Sequence, residues 1–360
     1  MNGVTRPVLI VAGGTGGHIF PALAVAEQLR DGGIPLVWLG SNRGLETRIV
    51  PRAGIKLVKI AISGLRGTGL LRWVLAPITV TIAVLQATLA VLRIRPQLVL
   101  GMGGFASGPG GVAAWICRRP LIIHEQNAVP GLTNSLLSRI ATKVLQGFPG
   151  AFPAAANAIT VGNPVRRSIV SDQRLREFCT ESTEFNVLVV GGSRGAASLN
   201  EAVPNVLRDM QLTGVQVRHQ CGVNNVVQTR STYGRFNANV DVSEFIDDMG
   251  NAYRWASVVI CRAGALTISE LAAAGVASIL VPYPHAVDDH QTVNAKFLVE
   301  RDGALLVPEG PCFERRLAAA ITKLHSNRKQ LRQIAMRAHE LATPEAANVV
   351  AGYCRELLDG

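Results

Sequence analysis

Short, wholly apolar runs recur along this chain, each closing on glycine or a polar turn and followed by apolar positions three and four residues apart. Val8–Val11 leads into a helical pattern over residues 22–30. Strand-like runs follow at 36–39, 57–62 and 98–100, and the run at 121–123 leads into a helical pattern over 132–140. Runs of this length without polar alternation suit strands buried on both faces, and their interleaving with helices predicts βαβ units around a parallel sheet. The rhythm restarts at residues 187–190, followed by Gly191, Gly192, Ser193, Arg194 and Gly195. That repeats the opening, where Val8–Val11 is followed by Gly13, Gly14, Thr15, Gly16 and Gly17. Two strand, glycine-loop, helix openings predict two similar α/β domains with parallel sheets.

Between the two halves lies Val161-Gly-Asn-Pro-Val-Arg166, a sequence that interrupts regular structure and suits a hinge. The reading is a first domain over 1–163 and a second over 164–343. The tail 344–360, helical in character, is expected to return to the first domain. Residues 73–92 hold twenty positions without a charge, long enough to span a bilayer. Pro77, Gln86 and the place of this stretch between two strand-like runs favour a crossover helix instead, partly buried and partly facing a membrane surface.

Composition narrows the picture. A length of 360 residues suits two cores, and 48% apolar against 17% charged residues, with 36 glycines, suits helices packed on buried strands. The net charge of +11 predicts attraction to something anionic. The basic residues are scattered and aromatics are only 5%, so nucleic acid is not an expected partner. The six cysteines lie far apart without a C-x-x-C pair, which argues against zinc or redox chemistry. Met1 runs into the first strand without the features of a signal peptide.

The candidate chemistry sits in the loops. The first glycine loop lets backbone approach an anion at a helix N-terminus. Its spacing fails the dinucleotide fingerprint because Ile19 stands where glycine is required, and the second strand ends in Gly40 and Ser41 without an acid. No Gly-Lys-Ser/Thr occurs either, so no dinucleotide cofactor or nucleotide-hydrolase loop is expected. His18 begins the helix that Pro21 is expected to help initiate. A helix N-terminus disfavours the imidazolium, leaving a neutral ring able to accept a proton, although a merely capping or packing histidine fits the same position. His124, Glu125, Gln126 and Asn127 follow a strand, as acceptor or sugar contacts or as turn chemistry. In the second half, Ala265, Leu266 and Thr267 read as a phosphate-suited helix start, with Glu270 able to accept two ribose hydroxyls. Thr267-x-x-Glu270 equally fits a capping box. His285, Asp288, Asp289, His290, Gln291 and Asn294 form a polar cluster suited to sugar hydroxyls, and the adjacent aspartates lack a metal-binding spacing.

Six blocks in order, GGTGGHIFPALAVAEQL, GMGGFASGPGG, HEQNAVPGLTN, GNPVR, GGSRGAASLN and CRAGALTISELAAAGVASILVP, closely resemble the MurG family of glycosyltransferases of bacterial cell-wall synthesis. The resemblance implies a GT-B architecture: two Rossmann-like domains facing a cleft, donor held mainly by the second and acceptor by the first. It implies a donor site of Thr15, Gly16, Gly17, Asn127, Arg166, Ser193, Ile246, Ala265, Leu266, Thr267, Ile268, Ser269, Glu270 and Gln291. Ile246 would hold uracil through its backbone and Glu270 the ribose. Ser193, Arg166 and the helix start at Ala265 would hold the diphosphate, and Asn127 and Gln291 the sugar. The implied reaction is inverting transfer of N-acetylglucosamine from UDP-N-acetylglucosamine to the C4 hydroxyl of the muramyl sugar of lipid I, giving lipid II, without metal or cofactor. One base suffices, with His18 the candidate and Glu125 the second choice. The lipid-linked acceptor implies a peripheral enzyme on the cytoplasmic, anionic face of the bacterial plasma membrane. It would dock through Leu70, Leu71, Trp73, Val74, Leu75 and Trp115, rimmed by Arg66, Arg72, Arg139 and Lys143. Phe105 departs from the tyrosine expected at its position. Two rival readings are an enzyme like the UDP-N-acetylglucosamine 2-epimerases and a non-enzymatic basic protein binding RNA or lipid.

Overall fold

A computed structural model describes residues 6–62, 76–170, 184–192, 195–210, 212–234, 236 and 239–359. The chain forms two units, Met1–Arg166 with Glu345–Gly360, and Arg167–Pro344. Leu70, Leu71, Trp73, Val74, Leu75, Arg66 and Arg72 of the expected docking patch lie outside the described residues, as does Ser193.

The first unit runs β1 (Val8–Val11), α1 (Gly16–Asp31), β2 (Leu36–Ser41), α2 (Glu46–Arg52), β3 (Lys56–Ile60), α3 (Ala76–Ile94), β4 (Leu98–Gly101), α4 (Ser107–Ile116), β5 (Leu121–Glu125), α5 (Leu132–Leu137), β6 (Lys143–Gln146) and β7 (Ile159–Thr160). Its strands pair in parallel in the order β3-β2-β1-β4-β5-β6-β7, with Val8 opposite Leu36 on one side and Leu98 on the other. The unbroken apolar runs follow from this arrangement, because β1, β4 and β5 are covered on both faces and every one of their residues is buried. One face packs Ile19, Val25 and Leu29 of α1, and the other packs Ala87, Ala90 and Val91 of α3 with Ala113 and Ala114 of α4.

Two local expectations change. The first helix begins at Gly16, two residues before His18, so Pro21 lies inside it and not at its start. As the sixth helical residue it forgoes the bond an N–H would make to the Gly17 carbonyl, and the helix continues through it. The expected helix over 132–140 stops at Leu137. The uncharged stretch forms α3, which is long and apolar enough to cross a membrane by length and composition alone, with mean hydropathy 1.7. Its packing inverts the usual pattern: the small Ala83, Ala87 and Ala90 face the core, while Ile78, Ile82, Leu85, Leu89 and Leu92 are exposed along one stripe.

The second unit runs β8 (Phe185–Val190), α6 (Ala197–Met210), β9 (Val215–Gln220), α7 (Val226–Tyr233), β10 (Asn239–Ser243), α8 (Met249–Trp255), β11 (Val258–Cys261), α9 (Ala265–Ala274), β12 (Ala277–Leu280), α10 (His290–Val299), β13 (Leu305–Leu306), α11 (Phe313–Ser326) and α12 (Arg328–Glu340). Its parallel sheet has the order β10-β9-β8-β11-β12-β13. Leu199, Val203 and Leu207 of α6 close its core with Leu317 and Ile321 of α11 and Leu331 and Ile334 of α12. The chain then re-enters the first unit as α13 (Ala346–Asp359), whose Val350, Ala351 and Cys354 are buried in the same core as α1.

Candidate active site

In the first sheet the strand order reverses between β1 and β4, so the loops at their C-terminal ends diverge and leave the crevice where open α/β sheets bind ligands. The loops meet at Gly104, whose φ is +81°. A Cβ there would strike the Gly13 carbonyl oxygen, so only glycine permits the approach. Thr15 is extended (φ −107°, ψ 162°) and caps α1 without a side-chain bond, which leaves Thr15, Gly16 and Gly17 at an N-terminus whose amides are suited to an anion.

An acid not singled out from the sequence organises this loop. The buried Glu46 carboxylate accepts the Ser41 N–H at 2.8 Å, the Ser41 hydroxyl at 2.6 Å and the Gly14 N–H at 3.1 Å. Gly13 and Gly40 make room for it, since a Cβ on either would come within 2.8 Å of its side chain. An acid therefore does reach the end of β2, from five residues further along, but its oxygens are engaged within the protein. Trp38 of β2 braces the same loop by donating its indole N–H to the Ala12 carbonyl at 2.8 Å.

The His18 ring is half-buried against Gly103, where a Cβ would come within 2.5 Å of Nδ1. Its Nδ1 lies 2.9 Å from Gln126 Oε1. Gln126 Nε2 in turn lies 3.0 Å from the Met102 carbonyl oxygen and 3.2 Å from His124 Nδ1, and His124 Nε2 lies 2.9 Å from the Gly162 carbonyl oxygen. Burial lowers the His124 pKa to about 4, against smaller opposing effects of the Gly162 carbonyl and the Glu125 charge. Glu125 is also buried: Oε1 accepts the Asn127 N–H and side-chain amide at 2.9 and 3.0 Å, and Oε2 accepts the Gly131 N–H and the Asn134 amide at 3.1 and 2.8 Å. His124, Glu125 and Gln126 thus face the protein interior, and of that quartet Asn127 alone is half-buried. Arg166 stacks its guanidinium 4.4 Å from the centre of the Phe20 ring on α1.

In the second sheet the order reverses between β8 and β11, and α9 starts beside that point. Gly264 is its extended N-cap and no side chain caps it, so Thr267 is the third helical residue and the capping box does not form. Ala265, Leu266, Thr267, Ile268, Ser269 and Glu270 make up its first turns. Glu270, 5% exposed, accepts the Tyr253 hydroxyl at 3.1 Å, a partner that helix α8 supplies and spacing does not reveal. Burial first and then the Glu270 charge push the Cys261 thiol up to about 12, so it stays protonated. Arg262, also not foreseen, pairs with Glu309, donates to the Ser198 hydroxyl at 3.0 Å and to the Val281 and Pro282 carbonyls at 3.2 Å, and so fixes the chain entering α9. Half-buried Ile246 borders a cavity of about 360 Å³ with Arg218, Ser243, Phe245 and Asn251. Gln291, on a helix packed against α9, accepts the Tyr283 N–H at 2.9 Å. Asn294 is buried and donates to the Ala263 carbonyl at 3.3 Å, whereas His285, Asp288 and Asp289 are exposed, so the expected polar cluster does not form one surface. Among the described residues no cluster of His, Cys, Asp and Glu is arranged to hold a metal.

Residues 8–146 match the glycosyltransferase family 28 N-terminal domain, and residues 186–350 match the family 28 C-terminal domain. A UDP-N-acetylglucosamine--N-acetylmuramyl-(pentapeptide) pyrophosphoryl-undecaprenol N-acetylglucosamine transferase from Shewanella amazonensis is 51% identical, over 98% of each chain. The crystal structure of Acinetobacter baumannii MurG superposes with a TM-score of 0.80 at 39% identity, covering 98% of this chain and 99% of that one. A UDP-GlcNAc 2-epimerase from Neisseria meningitidis, bound to UDP-GlcNAc, superposes with a TM-score of 0.66 over 97% of this chain and all of that one. At 12% identity it shows a shared fold alone.

Proposed function

The chain belongs to glycosyltransferase family 28, and from that premise we propose that it transfers N-acetylglucosamine from UDP-N-acetylglucosamine to the C4 hydroxyl of the muramyl sugar of lipid I, giving lipid II. The observation that carries the mechanism is the contrast between the two candidate bases. Glu125 accepts four hydrogen bonds from neighbouring groups. His18 presents its Nε2 without a hydrogen-bond partner among the described residues. A base must reach its proton through an available lone pair, which favours His18.

As the acceptor oxygen attacks the anomeric carbon, its proton passes to His18 Nε2, and the electrons of the breaking C1–O bond leave with the β-phosphate of UDP. One displacement inverts the anomeric centre. The α9 N-terminus and Arg166 would stabilise the departing diphosphate, with Ser193 assigned the same role by the family resemblance. Glu270 would accept the ribose hydroxyls, and the Ile246 backbone beside its cavity would hold uracil. Asn127 and Gln291 would contact the sugar, and Thr15, Gly16 and Gly17 would line the approach.

The exposed apolar stripe of α3, adjoining Trp115 and Ile116 on α4 and with Arg93, Arg95 and Arg118 exposed nearby, supports peripheral docking on an anionic membrane. That surface is what a lipid-linked acceptor requires and a 2-epimerase does not. Purified protein with labelled UDP-N-acetylglucosamine and a lipid I analogue is expected to yield the disaccharide, and His18→Ala is expected to lower kcat by about 10²–10⁴-fold. Near-normal turnover of that variant at saturating substrates refutes the assignment of the base.

A further inference from the structure

A neutral imidazole is a base at only one of its two nitrogens, so a histidine at the right place is still ineffective if its proton sits on the nitrogen facing the acceptor. We infer that Gln126 is the positioning residue that fixes which nitrogen of His18 carries the proton. The inference rests on the reading of His18 as the base. It follows from hydrogen-bond directions that leave a single consistent arrangement.

The Gly162 carbonyl can only accept, so His124 Nε2, 2.9 Å away, carries the hydrogen and Nδ1 of that ring holds a lone pair. The Gln126 group 3.2 Å from that Nδ1 and 3.0 Å from the Met102 carbonyl must then be the amide NH2, which donates to both. Two independent acceptors thus set the amide orientation, and reversing it would point its oxygen at a lone pair and a carbonyl. With the NH2 held there, Oε1 faces His18 Nδ1 at 2.9 Å and can only accept. His18 Nδ1 therefore carries the hydrogen, and Nε2 holds the lone pair. Gly103 completes the device, because the ring and the Gln126 oxygen occupy the space a Cβ would take, 2.5 and 3.1 Å from it. When the ring takes up the acceptor proton, the Nδ1–H bond to Oε1 remains in place, so the chain of partners need not rearrange.

Gln126 is 1% exposed and touches no open surface, so it acts through His18 rather than on substrate. The spacing of the segment conveys none of this, since Gln126 reads there as one more polar residue after a strand.

The test is a ¹H–¹⁵N spectrum of the histidine rings in the ¹⁵N-labelled full-length protein near pH 8, with the His18 signals identified by their loss in His18→Ala. The wild-type ring is expected to carry its proton on Nδ1. In Gln126→Met, which fills the space without an acceptor, the proton is expected to move to Nε2, with kcat lowered about 10²-fold, the low end of what a positioned base contributes. KM for both substrates is expected to stay within about threefold, as for an interaction made in the transition state alone. Gln126→Glu keeps an oxygen facing His18 but sets a second one beside the Met102 carbonyl and His124 Nδ1, so it is expected to restore the Nδ1–H ring while lowering stability. A wild-type ring protonated on Nε2, or an Nδ1–H ring that persists in Gln126→Met, overturns the inference. A wild-type ring protonated on Nε2 overturns it even if the methionine variant does not fold. An Nδ1–H ring that depends on Gln126, combined with normal turnover of His18→Ala, would uphold the tautomer assignment while removing the catalytic reading it rests on.

Discussion

Acidification is expected to destabilise each unit through one buried histidine. Burial lowers the His124 pKa from 6.5 to about 4 in the first unit and the His219 pKa from 6.5 to about 3 in the second. His219 lies between the Tyr233 hydroxyl at 2.9 Å and the Asn200 side-chain oxygen at 3.1 Å, with no exposed surface. Below pH 6.5 the unfolded chain takes up a proton at each position that the folded chain refuses, so the stability from these neutral rings is complete above pH 6.5 and declines as pH falls toward the folded values. At pH 5.5 each ring has withdrawn about 1.4 kcal/mol. For units of this size that corresponds to a fall in Tm of about 3–6 °C. The window between pH 7.5 and 5.5 lies above the ordinary range of carboxylates, which isolates the histidines. Urea unfolding at half-unit pH intervals should show this slope, and His124→Gln and His219→Gln, whatever their absolute stability, should each flatten it by one proton's worth. If neither substitution changes the slope, the folded protein protonates these rings as readily as the unfolded chain does, which refutes the reasoning.

Gly104→Ala is expected to cost more than about 2 kcal/mol, because a Cβ would meet the Gly13 carbonyl in a backbone conformation that already disfavours it; urea unfolding checks this. Glu46→Gln places an NH2 among three donors and is expected to lower stability by about 2–4 kcal/mol and to weaken turnover by loosening the loop that carries His18; a cost below about 1 kcal/mol would mean that the loop holds without the carboxylate. The pair Leu85→Glu and Leu89→Glu, both now exposed, is expected to weaken binding to anionic vesicles at least about tenfold while leaving the melting temperature unchanged, since each leucine moved out of water is worth about 1.5–3 kcal/mol.

The sheets and their connecting loops were legible because parallel strands covered on both faces need unbroken apolar runs, and Gly13, Gly101 and Gly191 mark the turns at the ends of β1, β4 and β8. The period of α1 showed only from Ala22, although His18 was read at the helix start, because Gly16 and Gly17 carry no side chains to extend the pattern. Glu46 was invisible for another reason: its role depends on α2 folding back under β2, a tertiary event no local pattern encodes. Thr267 and Glu270 have capping-box spacing, yet Gly264 takes the cap, so the carboxylate meets Tyr253 from a helix separated in sequence. In the segment 124–127 the residue types were read correctly as polar, but His124 and Glu125 are the last residues of β5 and only Gln126 and Asn127 lie in the loop beyond it. Which of them turn inward is decided by carbonyls at Met102 and Gly162, far away along the chain.

Helix α13 has a consequence for how the protein is made. Its Val350, Ala351 and Cys354 complete the core beneath α1, but they are translated only after the whole of the second unit. At roughly 5–20 residues per second the ribosome leaves the nascent first unit with a hydrophobic gap over α1 for on the order of ten seconds or more. The second unit, contiguous in the chain, can close first. A chaperone that shields apolar surface during synthesis would therefore be needed longest by the half that is made earliest.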